Sequence, residues 1–190
     1  AFLVAGIVLS FVLGQGLDSI FQAWLYSYVF WAGIAIGSIA LLFIHHMTGG
    51  AWSFVIQRIL EANTRMLPVV FVFFLPILLG PLTGLNHLYD AWGHPQGEHV
   101  EVVDSKALFL NSGWWTLRTL FYFGLWGGFA YLLNTWSKRL DETEDGLIVL
   151  KFRRLSPVGL IAWCLSTTFA ALDWIMSLEP TWYSTIYGPH

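Results

Sequence analysis

The stretch Trp24–Phe43, WLYSYVFWAGIAIGSIALLF, decides the fold class of this chain. It contains no charged side chain and no histidine. A helix that crosses the hydrocarbon core of a bilayer needs about 20 predominantly apolar residues, and this stretch has that length and composition. The stretch therefore predicts a membrane-spanning α-helix.

The composition of the whole chain is that of a membrane protein. Of its 190 residues, 56% are hydrophobic and 11% are charged, whereas a soluble domain carries about 25% charged residues. The single cysteine, Cys164, excludes an internal disulfide and a cysteine-ligated iron–sulfur cluster. The net charge of −3 argues against nucleic acid as a partner, so the partner that the composition predicts is the lipid bilayer.

Further apolar runs predict a bundle of helices. Trp114–Trp136 and Pro157–Met176 are long enough to span a membrane. Met66–Leu82 is shorter and contains three prolines, which neighbouring helices in a bundle tolerate, so we expect a kinked span there. Ala1–Leu13 has the length of only part of a span. The predicted fold is an all-α integral membrane protein with one transmembrane domain over residues 1–190, and its spans lie near 1–13 (a truncated first helix), 24–43, 66–82, 114–136 and 157–176.

Residues 51–65, AWSFVIQRILEANTR, have the pattern of an amphipathic helix. Val55 and Ile59 fall on one face of such a helix, and Arg58 and Glu61 fall on the other. We expect this helix to lie along the membrane interface or to be tucked under the bundle.

The distribution of Lys and Arg predicts which loops face the cytoplasm. Segments 47–65 and 137–156 carry seven of the nine basic residues, and the 83–113 segment carries only Lys106 together with four acidic residues. Cytoplasmic loops of membrane proteins are enriched in Lys and Arg. Loops 47–65 and 137–156 are therefore predicted to be cytoplasmic, and loop 83–113 periplasmic.

The histidines do not form a metal or haem site in this interpretation. His45 and His46 are adjacent, and adjacent side chains on a helix point about 100° apart, so they cannot clamp one iron. The spacing of His87, His94 and His99 matches no common zinc motif. For His45 and His46 two interpretations stay open, interfacial packing and the inner mouth of a proton path.

Two ionisable residues fall inside predicted spans. Acidic residues in spans face the bundle interior and often serve ion or proton paths, which makes Asp173 a candidate proton site with Thr167 and Thr168 as hydroxyls that order water toward it. A carboxylate that packs at the interface is the competing interpretation. Arg118 either extends to the membrane surface or pairs with Asp173.

Glycines recur at helical spacing in two of the spans. Gly33 and Gly37 form a GxxxG pattern, and Gly124, Gly127 and Gly128 form a second set. Small residues at this spacing let another helix approach closely. We expect packing within this chain, with a contact to another protein of a complex as the alternative.

Several stretches, taken in their order, resemble a known family. HHMTGGAW at 45–52 and DWIMSLEPTWYSTIYG at 173–188 are the most specific of them. WAGIAIGS at 31–38, RILEA at 58–62 and the pair Leu67-Pro68 lie between them. Together they resemble the smaller of the two quinone-reductase-like membrane subunits of bacterial alternative complex III, which is of the same type as polysulfide-reductase and nitrite-reductase membrane anchors.

The resemblance implies a helical bundle about twice this length, of which this chain is the N-terminal half. It implies a complex in the bacterial inner membrane that oxidises menaquinol or ubiquinol and passes electrons to cytochrome c or an oxidase. It also implies a larger quinone-binding sister subunit, an iron–sulfur subunit and multihaem cytochrome c subunits as partners. The haem c and the iron–sulfur clusters then belong to those partners, and this chain binds no cofactor.

The function that follows is that of a cofactor-free integral subunit of a quinol-oxidising oxidoreductase, which serves assembly and is a candidate for proton translocation. The sister subunit's pattern has a quinol-binding histidine where this chain has Ala35-Ile36-Gly37. A quinol-binding anchor with its own site is the first alternative, and a small-solute transporter is the second.

Overall fold

The computed structural model describes residues 16–49, 54–84, 86–93, 109–143, 145–179 and 182. These ranges are mostly helical and contain no strand. The Ala1–Leu13 segment, His94, His99 and most of the stretch that follows Glu179 lie outside the described residues. The described helices are α1 (Gly16–Thr48), α2 (Phe54–Thr64), α3 (Leu67–Thr83), the single turn α4 (Asp90–Gly93), α5 (Ser112–Thr143) and α6 (Gly146–Trp174), and a 3₁₀ turn follows at Met176–Leu178.

Helices α1 and α3 run antiparallel. Trp24, early in α1, donates from Nε1 to the carbonyl oxygen of Phe73 in α3 over 3.1 Å. Ser38, later in α1, accepts a hydrogen bond of 3.3 Å from Asn63, which precedes α3. The chain therefore turns back on itself between these two helices.

Helix α6 runs back along both α1 and α5. Its C-terminal Trp174 lies edge-on to Tyr28, near the start of α1, at 6.2 Å between ring centroids. Its N-terminal Phe152 lies edge-on to Trp136, near the end of α5, at 5.5 Å. Since α3 also packs on α5, the helices α1, α3, α5 and α6 close into an up-and-down four-helix bundle. We call its two ends the Asp173 end and the Glu61 end, after the buried carboxylate at each.

Among the described residues, two helices are long and apolar enough to cross a membrane, α1 from Asp18 onward and the segment Gly146–Leu178 that contains α6. A third candidate arises if α2 and α3, which meet at a bend of 42°, form one broken span. Helix α5 is not among these candidates, because its many Trp and Tyr residues, with Arg118 and Asn134, lower its mean hydropathy. The described part of this membrane protein is all-helical with two or three candidate spans, and the fourth span expected from the sequence stays a prediction.

The prediction of a loop over 137–156 is wrong. Helix α5 continues to Thr143 and α6 begins at Gly146, so only a tight turn separates them. Asp145 caps α6 by accepting a hydrogen bond of 2.9 Å from the backbone N–H of Leu147. The segment is polar but rich in helix-forming residues, and its helices extend beyond the apolar part of the bundle.

Helix α2 exposes apolar residues such as Val55 and Ile59 and buries Glu61 of its polar face against the bundle. Val55 and Ile59 are 83% and 60% exposed, whereas Glu61 is only 1% exposed. An outward apolar face is the arrangement expected of a helix that contacts lipid. The amphipathic pattern thus predicted the helix, and the structure shows which face is buried.

The glycines expected to mediate packing within the chain do not do so among the described residues. A Cβ atom added at Gly33, Gly37, Gly124, Gly127 or Gly128 would meet no other side chain or neighbouring helix within 4 Å. Close packing occurs instead at Gly159, where a Cβ would collide with the ring of Phe43. Helices α1 and α6 therefore approach each other closely at a glycine that the spacing rule did not single out.

Candidate functional site

The carboxylate of Asp173, at the C-terminal end of α6, is completely buried and receives three hydrogen bonds. Arg118 of α5 approaches it with two nitrogens, Nε to Oδ2 at 2.9 Å and Nη2 to Oδ1 at 2.7 Å. The hydroxyl of Tyr122 donates to Oδ2 at 2.7 Å. A bidentate arginine plus a phenol satisfies a carboxylate far better than a single contact does, so the anion is stabilised in the bundle interior.

Arg118 is held between this carboxylate and the surface. Its Nη2 also donates to the carbonyl oxygen of Phe109 over 2.9 Å, and its Cζ lies 4.0 Å from the centre of the Phe109 ring. Its side chain is 21% exposed. The sequence left two roles open for Arg118, and the structure shows the pairing with Asp173. The Arg118 side chain remains partly exposed to the exterior.

The backbone around Asp173 is fixed by its neighbours in both helices. Trp115 of α5 donates from Nε1 to the carbonyl oxygen of Asp173 over 2.8 Å, and the Ser177 hydroxyl donates to the same oxygen. The next residue, Trp174, donates from Nε1 to the Thr119 hydroxyl over 3.1 Å. These bonds hold the end of α6 against the start of α5, so the position of the carboxylate is set by the fold.

Aromatic rings enclose the pair on the bundle side. Trp174 packs against Phe74 of α3 at 4.6 Å between ring centroids, and Tyr122 stacks on Trp126 at 6.1 Å. Such surroundings exclude water and lower the local dielectric constant, which strengthens the attraction between Asp173 and Arg118. The same surroundings raise the free energy of any charge at this site that is not paired with an opposite charge or a hydrogen-bond donor.

Two buried donors at this end have no acceptor among the described residues, the hydroxyl of Tyr28 and the indole N–H of Trp92. They belong to residues that are 6% and 3% exposed. Buried polar groups in native proteins nearly always have a hydrogen-bond partner. The Asp173 end therefore has hydrogen-bonding capacity beyond what the described residues use.

A second buried carboxylate, Glu61 of α2, lies at the opposite end of the bundle. It accepts hydrogen bonds from Gln57 at 3.0 Å, from Arg58 at 2.9 Å and from the Ser137 hydroxyl of α5 at 2.6 Å. Arg58 extends further to both carboxylate oxygens of the exposed Asp141, at 2.5 and 2.6 Å. Two acids thus share one arginine, which gives this cluster a formal net charge of −1.

A short polar chain lies next to the Glu61 cluster. Asn134 of α5 donates to the Thr64 hydroxyl over 2.8 Å and accepts from Arg65 over 2.8 Å. The Thr64 hydroxyl in turn donates to the carbonyl oxygen of Glu61 over 2.8 Å. Polar contacts therefore extend from Glu61 toward the centre of α5 by about one helical turn.

The two carboxylates bind residues that lie far apart along α5. Arg118 binds Asp173 and Ser137 binds Glu61, and both residues belong to α5. At 1.5 Å per residue the rise along α5 from position 118 to position 137 is about 28 Å, close to the roughly 30 Å of a bilayer's hydrocarbon core. A helix perpendicular to the membrane would hold one buried acid near each surface.

The other predicted site residues lie elsewhere. His46 stacks on Phe152 at 3.9 Å between ring centroids, and its ring is 4.9 Å from that of His45, which places both at the Glu61 end. The hydroxyls of Thr167 and Thr168 donate to carbonyl oxygens of their own helix, at 2.7 and 2.8 Å. The structure thus joins Arg118 to Asp173 and directs both threonine hydroxyls to the α6 backbone.

His87, in the connection that follows α3, also has a local partner. Its Nδ1 lies 2.6 Å from Oδ2 of Asp90. The hydrogen bond and the negative charge of Asp90 raise the pKa of His87 above its ordinary value. No three His, Cys, Asp or Glu side chains within the described ranges converge as a metal site.

Sequence reasoning did not single out Tyr122, Ser137 or Glu61 as members of a site. A signal for Tyr122 was present, since it lies four residues after Arg118 and therefore on the same helical face. Glu61 belongs to the polar face of an amphipathic helix, and such a face most often meets solvent. Only the tertiary structure shows that this face packs on α5.

No protein-family model matches this chain. No curated protein matches it either. Its function is therefore inferred from the two buried carboxylates, the apolar helices and the motifs in the sequence.

Proposed function

We propose that this chain is an integral subunit of a quinol-oxidising respiratory complex of the alternative complex III type, with no cofactor of its own. In this proposal it supports assembly with a larger quinone-binding membrane subunit, an iron–sulfur subunit and multihaem cytochrome c subunits. Its own chemical contribution is proton handling at Asp173. The substrate of the complex is menaquinol or ubiquinol, and haem c and iron–sulfur clusters in the partner subunits carry the electrons.

The single observation that carries the proposal is the environment of Asp173. The residue begins the DWIMSL stretch that supports the family resemblance, and its carboxylate is buried against Arg118 and Tyr122. Intramembrane acids are costly and are typically retained for ion or proton movement. The partial exposure of Arg118 favours exchange of protons with the exterior, and Glu61 offers a second acid at the other end of the bundle.

Proton measurements on the assembled complex test this role. Asp173→Asn removes the titratable carboxylate but keeps its size. We expect fewer protons translocated per electron in reconstituted vesicles, with quinol oxidation still measurable, because the redox centres belong to other subunits. Asp90→Asn, at a partly exposed acid of the same end, is the matched control and should leave the ratio unchanged. An unaltered proton-to-electron ratio in Asp173→Asn would remove Asp173 from the path.

Tyr122→Phe gives a second measurement if Asp173→Asn fails to assemble. This change removes one hydrogen bond to the carboxylate and leaves its charge and its arginine in place. We expect a complex that assembles and translocates fewer protons per electron than the wild type, because one hydrogen bond to the carboxylate is lost. A ratio equal to that of the wild type would show that this hydrogen bond does not serve translocation.

The location that accompanies this function is the bacterial inner membrane, with the Glu61 end in the cytoplasm and the Asp173 end in the periplasm. The excess of Lys and Arg at the Glu61 end supports this orientation. In a Cys164→Ala background, we expect His87→Cys to react with an impermeant maleimide from the periplasmic side only. Lys151→Cys should react only after the membrane is opened. The reverse pattern would contradict the proposed orientation.

A further inference from the structure

Helix α6 carries an exposed stripe in which two cations lie above apolar residues. Leu147, Lys151, Arg154, Val158, Ile161 and Leu165 follow one another at spacings of four and three, so they share one face of the helix. All six are exposed, and the apolar members Leu147, Val158, Ile161 and Leu165 are between 57% and 66% exposed. In a membrane protein a face of this kind is turned to lipid.

The two cations of this stripe have no counter-charge among the described residues. Neither Lys151 nor Arg154 forms an ion pair or a side-chain hydrogen bond within the part of the chain that the structure describes. Between Gly146 and Leu172 helix α6 contains no acidic residue. The nearest acid along the chain, Asp145, is engaged as the cap of α6. Within the described part of the chain, Lys151 and Arg154 therefore present positive charge without a paired acid, at a surface whose continuation is apolar.

The stripe has the dimensions of a lipid molecule. From Arg154 to Leu165 the helix rises about 17 Å, and the hydrocarbon of one leaflet is about 15 Å deep. An acyl chain that begins beneath Arg154 would therefore run along Val158, Ile161 and Leu165 to the middle of the bilayer. A phosphate at the head of that chain would lie between Lys151 and Arg154, one helical turn apart.

We propose that this stripe binds an anionic phospholipid, with the headgroup phosphate held by Lys151 and Arg154 and an acyl chain packed on Val158, Ile161 and Leu165. The charge complementarity selects an anionic lipid over a zwitterionic one, because each basic group near a membrane surface strengthens anionic-lipid binding by about fivefold. A second protein helix fits this face less well, since it would need to bring acidic side chains into the membrane to match the two cations.

Native mass spectrometry of the purified protein in neutral detergent tests the proposal. The probes are dioleoyl phosphatidylglycerol and dioleoyl phosphatidylcholine at equal concentration. We expect the wild type to retain the phosphatidylglycerol preferentially and the double variant Lys151→Gln, Arg154→Gln to bind it about 25-fold more weakly, which is the product of two fivefold effects. Both side chains are exposed, so the double variant should unfold at the same temperature as the wild type.

Arg153→Gln is the matched control. It removes the same charge from the same helix, but position 153 faces away from the stripe toward Gly49 at the end of α1. We expect it to leave phosphatidylglycerol binding within about twofold of the wild type, less than the fivefold effect of one basic group at the headgroup. An equal loss of phosphatidylglycerol binding in Arg153→Gln and in the double variant would show that the lipid is attracted by the overall positive charge of the helix, and would overturn the proposed site.

Further outcomes would also overturn the proposal. Full competition by water-soluble glycerol phosphate would show that the cations bind phosphate without using the apolar stripe. Cross-linking of the Ile161→Cys variant to another protein chain in native membranes would show that protein covers the stripe. Retention of the lipid by the double variant would exclude Lys151 and Arg154 as its ligands.

Discussion

The pair of Asp173 and Arg118 combines a fully buried anion with a cation that reaches the surface. Burying a charge costs several kcal/mol, and the attraction of its partner and its hydrogen bonds must offset that cost. Here two contacts from Arg118 and one from Tyr122 do so. The pair is therefore expected to be much more sensitive to loss of one member than to loss of both.

Loss of one member of the pair, compared with loss of both, measures this sensitivity. Arg118→Met should lower the free energy of unfolding by about 3 kcal/mol or more, because it leaves the Asp173 carboxylate buried without its cation. Asp173→Leu combined with Arg118→Met should lower the free energy of unfolding by less than Arg118→Met alone does. The measurement is unfolding in mixed detergent micelles, with Arg139→Met, at an exposed arginine of the same helix, as control. Equal losses for Arg118→Met and Arg139→Met would contradict a compensated buried pair.

Individual residues were predictable where the membrane itself constrains them. Asp173 stands out in the sequence because the bilayer makes an acid in an apolar run costly, and Arg118 stands out for the same reason. Glu61 did not stand out, because the sequence shows that a residue belongs to a polar face but not what that face contacts. Tyr122 was hidden among many aromatic residues of α5, most of which serve packing.

At the scale of elements, the packing of α1 on α6 depends on a missing side chain. A Cβ at Gly159 would collide with Phe43, whose ring is completely buried and lies edge-on to Phe129 at 5.0 Å. A larger residue at position 159 would therefore have to displace a buried ring. The GxxxG pattern predicted other glycines because it depends only on sequence spacing. The close approach depends instead on the position of the Phe43 ring of α1, which the spacing of glycines does not give.

Gly159→Ala tests this packing. Overpacking of a filled core costs about 1–3 kcal/mol, so we expect a loss of that size in the free energy of unfolding. The control is Gly124→Ala on α5, where an added Cβ meets nothing within 4 Å. The control should be neutral or slightly stabilising, since alanine favours a helix over glycine by up to about 1 kcal/mol. Equal behaviour of the two variants would show that α1 and α6 are not in close contact at this point.

The sequence predicted the presence of the long helices better than it predicted the residues at which they begin and end. The apolar runs located α1, α3, α5 and α6, but α1 and α6 begin well outside them, at Gly16 and Gly146. Apolar length measures the membrane-buried part of a helix, and the hydrogen-bonded helix continues into water while caps such as Asp145 allow it. The polar segment 137–156 was for this reason mistaken for a loop.

At the scale of the molecule, the described helices form a bundle whose exterior carries many large exposed apolar side chains and whose interior contains polar clusters. Phe30, Trp31 and Tyr26 of α1 are each 65% exposed or more, while Glu61 and Asp173 are buried. A lipid environment favours exposed apolar side chains and buried acids, because lipid solvates apolar side chains and excludes charged ones. The composition predicted the environment, but only the packing of helices shows that the acids collect at the two ends.

The proposed membership of a quinol-oxidising complex is tested most directly by affinity purification. The tagged protein would be extracted from its native membranes in mild detergent, and the eluate examined for haem c absorbance and by mass spectrometry. We predict co-elution, in constant proportion, with multihaem cytochrome c subunits, an iron–sulfur subunit and a larger membrane subunit. Elution as a homo-oligomer without haem or iron–sulfur proteins would contradict it.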